Sequence, residues 1–116
     1  MSDPSRERVI DFGEFDISEL RALVGRSRLF IGGDTGPLHV AATTATPIVA
    51  IYGPTLPARS APWRRRDIPS EAVEITGLAC RPCDQRVCAP GDYRCLTTLK
   101  PAAVLAAAER ALACIA

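Results

Sequence analysis

The residues best suited to chemistry in this 116-residue chain gather at two places. The first is Gly32-Gly33-Asp34-Thr35-Gly36-Pro37-Leu38-His39, which leads from a short apolar run into an alanine-rich one. A helix beginning there offers unpaired amides and the positive end of its dipole, a combination that holds phosphate. Gly36 lets such an anion approach the backbone, and Thr35 adds a hydroxyl donor. His39, the one histidine of the sequence, falls in the first turn, close enough to hydrogen-bond the same anion or to sit beside a diphosphate leaving group. The plainer alternative is that Asp34 or Thr35 caps the helix and His39 is a satisfied, partly buried side chain.

The second place is Cys80-x2-Cys83-x4-Cys88-x6-Cys95. Four thiols are the number that closes a tetrahedral zinc shell, and Pro82, Pro90 and Gly91 turn the chain between them. Reduced thiols packed as small apolar groups, or disulfides, are the alternatives. Cys114 stands apart beside Ile115 and reads as a buried thiol. Arg64-Arg65-Arg66 after Trp63 either contacts a phosphorylated acceptor or an anionic membrane surface, or lies in a solvated loop. That loop has too few aromatics for a base-stacking reader, so nucleic acid is not an expected partner.

The elements that must position these residues follow from periodicity. Ile17, Leu20, Leu23 and Val24 recur at helical spacing over 16–27, and Asp16 with Glu19 has the form of a capping box. The run Arg28-Leu29-Phe30-Ile31 predicts a buried strand that ends in a turn at Gly32-Gly33. From Pro37 a helix is predicted with Leu38, Ala41, Ala42 and Ala45 on one face. Pro47 to Tyr52 is continuously apolar and stopped by Gly53-Pro54, as a strand covered on both faces is, which implies a parallel sheet. A proline-rich loop fills 53–70, a short strand is predicted over 72–76, and a cysteine-rich loop over 78–96. The chain closes with a helix over 101–115 whose stripe is Val104, Leu105, Ala108, Leu112 and Ile115. This order fits an α/β layer, with the turn at Asp34 where open α/β sheets bind ligands.

Composition sets the bounds. Hydrophobic residues make up 47% and charged residues 23% of the chain, ordinary for one globular domain and too short for two. The net charge of +1 supplies no field to steer nucleic acid or an anionic membrane. The polar start MSDPSRERV and the alanine-rich, charge-bearing 101–116 lack the apolar runs of a signal peptide or a membrane span. The expected compartment is therefore the cytosol, including the inner face of the membrane.

The run from Arg28 to Ala42, followed by Thr46-Pro47-Ile48-Val49-Ala50-Ile51-Tyr52-Gly53-Pro54-Thr55, resembles the Asp-Ser/Thr-Gly-Pro-x-His-x-Ala-Ala segment of glycosyltransferase family 9. These are the bacterial lipopolysaccharide heptosyltransferases. The resemblance takes in Glu19-Leu20 and Leu23 before it, and Cys80, Cys83, Cys88 and Cys95-Leu96 after it. It implies a GT-B fold of two Rossmann-like halves. The carboxy-terminal half holds a sugar nucleotide such as ADP-heptose, in an inverting transfer that requires no metal or other cofactor. The acceptor, a lipid A/core oligosaccharide, needs the amino-terminal half.

On this resemblance 1–116 is a single partial domain, the end of the donor half: a Rossmann-like parallel-sheet fragment. Asp34, Thr35, Gly36 and His39 fall on donor-contacting positions. The family's catalytic aspartate belongs to the amino-terminal half, and its phosphate-binding lysine and ribose-binding glutamate lie upstream of the matched residues, so no catalytic residue is assigned. The competing reading is a small metal-binding or interaction module derived from such an enzyme. A sheet cut from a larger half exposes an edge that dimerisation would cover.

Overall fold

A computed structural model describes residues 9–10, 13–81, 83, 88 and 90–113. The chain's first eight residues, Pro82, Cys114 and Ile115 lie outside them, and so do the expectations that fall there. The described elements are α1 (Ile17–Gly25), β1 (Phe30–Gly33), α2 (Gly36–Ala42), β2 (Ile48–Tyr52), α3 (Pro57–Ser60), β3 (Ser70–Glu74), α4 (Arg94–Thr97) and α5 (Pro101–Ala113).

The three strands form one parallel sheet in the order β1-β2-β3. Phe30 pairs with Ile48 and Gly33 with Ile51, while Ile48 pairs with Ser70 and Tyr52 with Glu74. The side chains of β2 alternate between two cores, as a strand's period of two requires. Ile48, Ala50 and Tyr52 join Val24 of α1 and Leu38, Ala41 and Ala42 of α2 on one face. Val49 joins Val73 and the alanines of α5 on the other. The expectation of an α/β layer around a doubly covered strand is met.

Local chemistry sets the boundaries. The capping box at the start of α1 is complete: the Glu19 amide donates to Asp16 at 2.8 Å, and the Asp16 amide donates to Glu19 at 3.1 Å. Thr44 and Thr46, both buried, are satisfied through bonds to the Ala41 and Val24 carbonyls, and the second ties the end of α2 to α1.

Several expectations shift. Gly32 and Gly33 are strand residues paired with Ala50 and Ile51 rather than a turn. α2 ends at Ala42, leaving Ala45 exposed. β3 lies two residues earlier than expected, because its register on β2 begins at Ser70. On α1, Ile17 is 73% exposed and Leu23 is also exposed, so only Leu20 and Val24 of the expected face meet the core. On α5 the packed face is Val104, Ala107, Ala108 and Ala111, while Leu105 and Leu112 are exposed. Methyl-sized side chains let this helix lie close on the sheet, where leucines would hold it off.

The arginine run divides. Arg64 turns inward, and its guanidinium donates to the carbonyls of Thr44, Thr46 and Pro69. Arg65 pairs with Asp67, and Arg66 is exposed. Arg64 is therefore a brace for the loop and is unavailable to an acceptor or a membrane. Among the described residues no helix is long and apolar enough to cross a membrane.

Replacing Ala107 with leucine should lower stability by about 1–3 kcal/mol through overpacking, seen as a fall in the urea midpoint at unchanged slope. Leu105→Ala should change it by about 0.5 kcal/mol or less.

Candidate functional site

The carboxyl ends of β1 and β2 point the same way, so the loops leaving them meet. A cavity of about 190 Å³ lies between them, lined by Gly33, Asp34, Ile51, Gly53, Pro54, Thr55 and Leu96. Thr55 donates a 2.6 Å hydrogen bond to Asp34 Oδ2. The other oxygen, Asp34 Oδ1, stands 3.8 Å from His39 Nε2; the aspartate is 15% exposed and the histidine 52%. One carboxylate thus joins the first turn of α2 to the segment after β2.

Buried Tyr52 borders the same region. Its phenol is pushed above its usual pKa by burial first, then by the charges of Asp34 and Glu74. The ring therefore stays neutral beside the carboxylate.

Thr35 is the residue preceding α2, yet makes no side-chain cap hydrogen bond. Its hydroxyl reaches only the Gly33 carbonyl, at 3.5 Å. The capping alternative therefore fails for Thr35, and the Asp34 carboxylate has Thr55 as its hydrogen-bond partner. Gly36 opens α2 with its Cα side clear: a Cβ built there meets no atom within 4 Å. An anion could come up against this backbone, and a larger side chain would occupy that space.

Of the residues expected at the site, Asp34 and His39 are brought together. Thr35 and Gly36 are exposed and do not line that cavity; Gly36 borders a second hollow with Phe15, Ile17, Leu20, Pro37 and Val40.

Sequence reasoning missed three contributors. Thr55 sits in the quoted Gly53-Pro54-Thr55 run but carried no assigned role. Leu96 packs over Gly53 so closely that a Cβ on the glycine would stand 2.6 Å from its methyl. Arg81 is the third. Its guanidinium, 5% exposed, donates to the carbonyls of Gly53 and Thr55 at 2.7 Å each, to the Ile75 carbonyl, and to Glu74 at 3.0 Å. Nothing in the spacing of Cys80-Arg81 announced that this arginine reaches back to the segments that follow β2 and β3.

Cys80, Cys83, Cys88 and Cys95 are free, half-buried thiols, and all line one cavity of about 90 Å³ with Pro54, Arg81, Pro90 and Arg94. Burial pushes the Cys95 thiol above its usual pKa, and the other three cysteines add to the shift. As they stand, no group of three or more His, Cys, Asp or Glu is arranged to hold a metal ion among the described residues.

The sequence model of glycosyltransferase family 9 (heptosyltransferase) matches residues 6–93. The chain belongs to glycosyltransferase family 9. Lipooligosaccharide heptosyltransferase 2 of Campylobacter jejuni serotype O:2 is 37% identical over 84 residues, which are 72% of this chain and 25% of that protein. Lipopolysaccharide heptosyltransferase 3 of Escherichia coli is 32% identical over 100 residues, 86% of this chain and 28% of its own length. The chain thus spans about a quarter of the curated relatives it matches. No solved structure matches it significantly. For a family 9 member the turn at Asp34 is the part to test first.

Arg81→Met should destabilise the chain by about 3 kcal/mol, because it strands three carbonyls and Glu74 without their shared donor. Chemical denaturation monitored by circular dichroism measures this. The conservative Arg81→Lys should recover less than half of the loss, since an ammonium cannot reproduce the guanidinium fork.

Proposed function

We propose that this chain forms the donor-binding end of a sugar-nucleotide glycosyltransferase that transfers heptose in lipopolysaccharide core assembly. One observation carries the reading. The family 9 segment folds as a turn at the carboxyl end of a parallel sheet, where Asp34 and His39 converge beside an open helix start. The diphosphate of an ADP-heptose-like donor lies against the backbone at Gly36, with Thr35 and His39 as donors to its oxygens. His39 steadies the negative charge that builds up on the diphosphate as it leaves. Asp34, held by Thr55, fixes the orientation of His39 and faces the sugar side of the cavity.

The transfer is inverting and uses no metal, and its general base comes from an acceptor-binding half that completes a GT-B arrangement. Two uncovered features support such a half. Among the described residues β1 is an edge of the sheet with Ile31 47% exposed, and on α1 Ile17 is largely and Leu23 partly exposed. The lipid A/core oligosaccharide acceptor and the inner face of the membrane as the place of work belong to this reading. The relatives' names favour it, as does the quarter of their length that the chain spans.

Calorimetric titration of the chain with ADP and ADP-sugars tests the proposal. Binding is expected for the unaltered chain. It should fall about 100-fold or more in Gly36→Val, which blocks the backbone approach without meeting any neighbour. His39→Ala should weaken it about tenfold, the loss of one charge-assisted hydrogen bond. A well-folded chain that binds neither nucleotide would overturn the donor-site reading and favour the interaction module.

A further inference from the structure

We propose that Leu96 of α4 is the apolar wall of the donor's sugar subsite and sets which sugar the cavity at Asp34 accepts, an inference that rests on the donor-site reading above. The cavity, about 190 Å³, is smaller than the roughly 300–1,000 Å³ that take a whole drug-sized ligand. It therefore holds one moiety of a sugar nucleotide. Its lining divides by chemistry: Asp34 and Thr55 supply a carboxylate and a hydroxyl, while Ile51, Pro54 and Leu96 supply apolar surface. A sugar ring divides in the same way, with hydroxyls around its rim and C–H groups across its faces. The diphosphate fits less well, because the charge of Asp34 repels it from the interior.

Of the three apolar side chains Leu96 is the most open, 46% exposed, whereas Ile51 and Pro54 are half-buried. Its place is fixed from the α5 side. The Leu99 amide donates to the Leu96 carbonyl at 3.1 Å, and Leu99 packs against the core beneath α5. The other support is Gly53. This glycine takes no left-handed conformation, so its backbone does not demand a glycine. A side chain there would instead collide with Leu96, since a Cβ would stand 2.6 Å from the leucine methyl. The bare backbone at Gly53 lets Leu96 lie across the carboxyl end of β2, beside the carboxylate.

Leu96 also bounds the cavity on its far side. A second hollow of about 220 Å³ is lined by Pro54, Cys83, Cys88, Tyr93, Cys95 and Leu96. Pro54 and Leu96 border both spaces, and of the two only Leu96 can be shortened without altering the backbone. Shortening it joins the hollows and removes both the apolar contact and the size limit. An apolar wall discriminates by shape and contact area, while Asp34, fixed by Thr55, accepts hydrogen bonds from hydroxyls.

The test is calorimetric titration of the full chain and its Leu96 variants with ADP, ADP-glucose and ADP-heptose. The unaltered chain should bind ADP-heptose more tightly than ADP and separate the two ADP-sugars by about fivefold or more. Leu96→Ala should weaken ADP-heptose about tenfold, leave ADP unchanged, and bring the two sugars within about twofold of each other. Leu96→Met, which keeps the volume, should stay within about threefold of the unaltered chain for every ligand. An equal fall for ADP and ADP-heptose in Leu96→Ala would show that the leucine only supports the fold, and sugar preference undiminished in that variant would show that the wall lies elsewhere; either overturns the inference. ADP binding with no gain from any sugar overturns it too and leaves the donor-site reading standing, whereas a chain that binds none of the three overturns both.

Discussion

Because Ile48, Ala50 and Tyr52 pack against α1 and α2 while Val49 packs against α5, β2 has no face left for water. A strand buried on both faces must pair on both edges to satisfy its backbone, and its neighbours β1 and β3 do this in parallel register. Parallel pairing brings all the carboxyl ends to one side. The turn after β1 and the segment after β2 are thereby forced together, and the Asp34–Thr55 hydrogen bond follows from that proximity. The candidate site is a consequence of how the core divides around one five-residue strand.

Arg81 extends this constraint to the rest of the carboxyl-terminal side. Its buried guanidinium takes the carbonyls that the chain leaves unpaired as it turns out of β2, and with Glu74 it ties the end of β3 to the same point. Buried charge is tolerated here because each of the three guanidinium nitrogens meets an acceptor. The cysteine loop, which begins at this arginine, is thus tied to the segment that holds Asp34. Order in that loop and order at the candidate site are linked through Gly53, Pro54 and Thr55.

Much of this was legible in the sequence, and the parts that were not have physical reasons. The capping box at Asp16, the doubly buried run at Ile48, and the strand-to-helix turn at Asp34 depend on local patterns, and they fold as those patterns dictate. The face of α5 was misread because hydrophobic periodicity ranks leucine above alanine. Packing against a sheet ranks closeness of approach instead, and it turned Ala107 and Ala111 inward with Leu105 out. Gly32 and Gly33 were read as a turn, but partners on β2 hold them in the strand. Arg64 and Arg81 were opaque because each takes two backbone carbonyls 18–28 residues away in sequence, which no local pattern records. Within the site, Asp34 and His39 could be read from their motif, whereas Thr55 gains its role only through the parallel register.

What remains open toward solvent is as informative as what is closed. The edge of β1 and the outer side of α1 leave Ile31, Ile17 and Leu23 partly or largely exposed among the described residues, while the start of α2 at Gly36 is open, with no atom within 4 Å of a Cβ built there. A surface of the first kind suits a further protein layer, and one of the second kind suits an anion. The most direct measurement of the central claim is amide chemical-shift mapping of the labelled chain on addition of ADP. The account predicts that the amides of Gly36, Leu38, His39 and Thr55 move first and furthest. Saturating shifts confined to other residues, such as those around Arg66 or on α5, would contradict it.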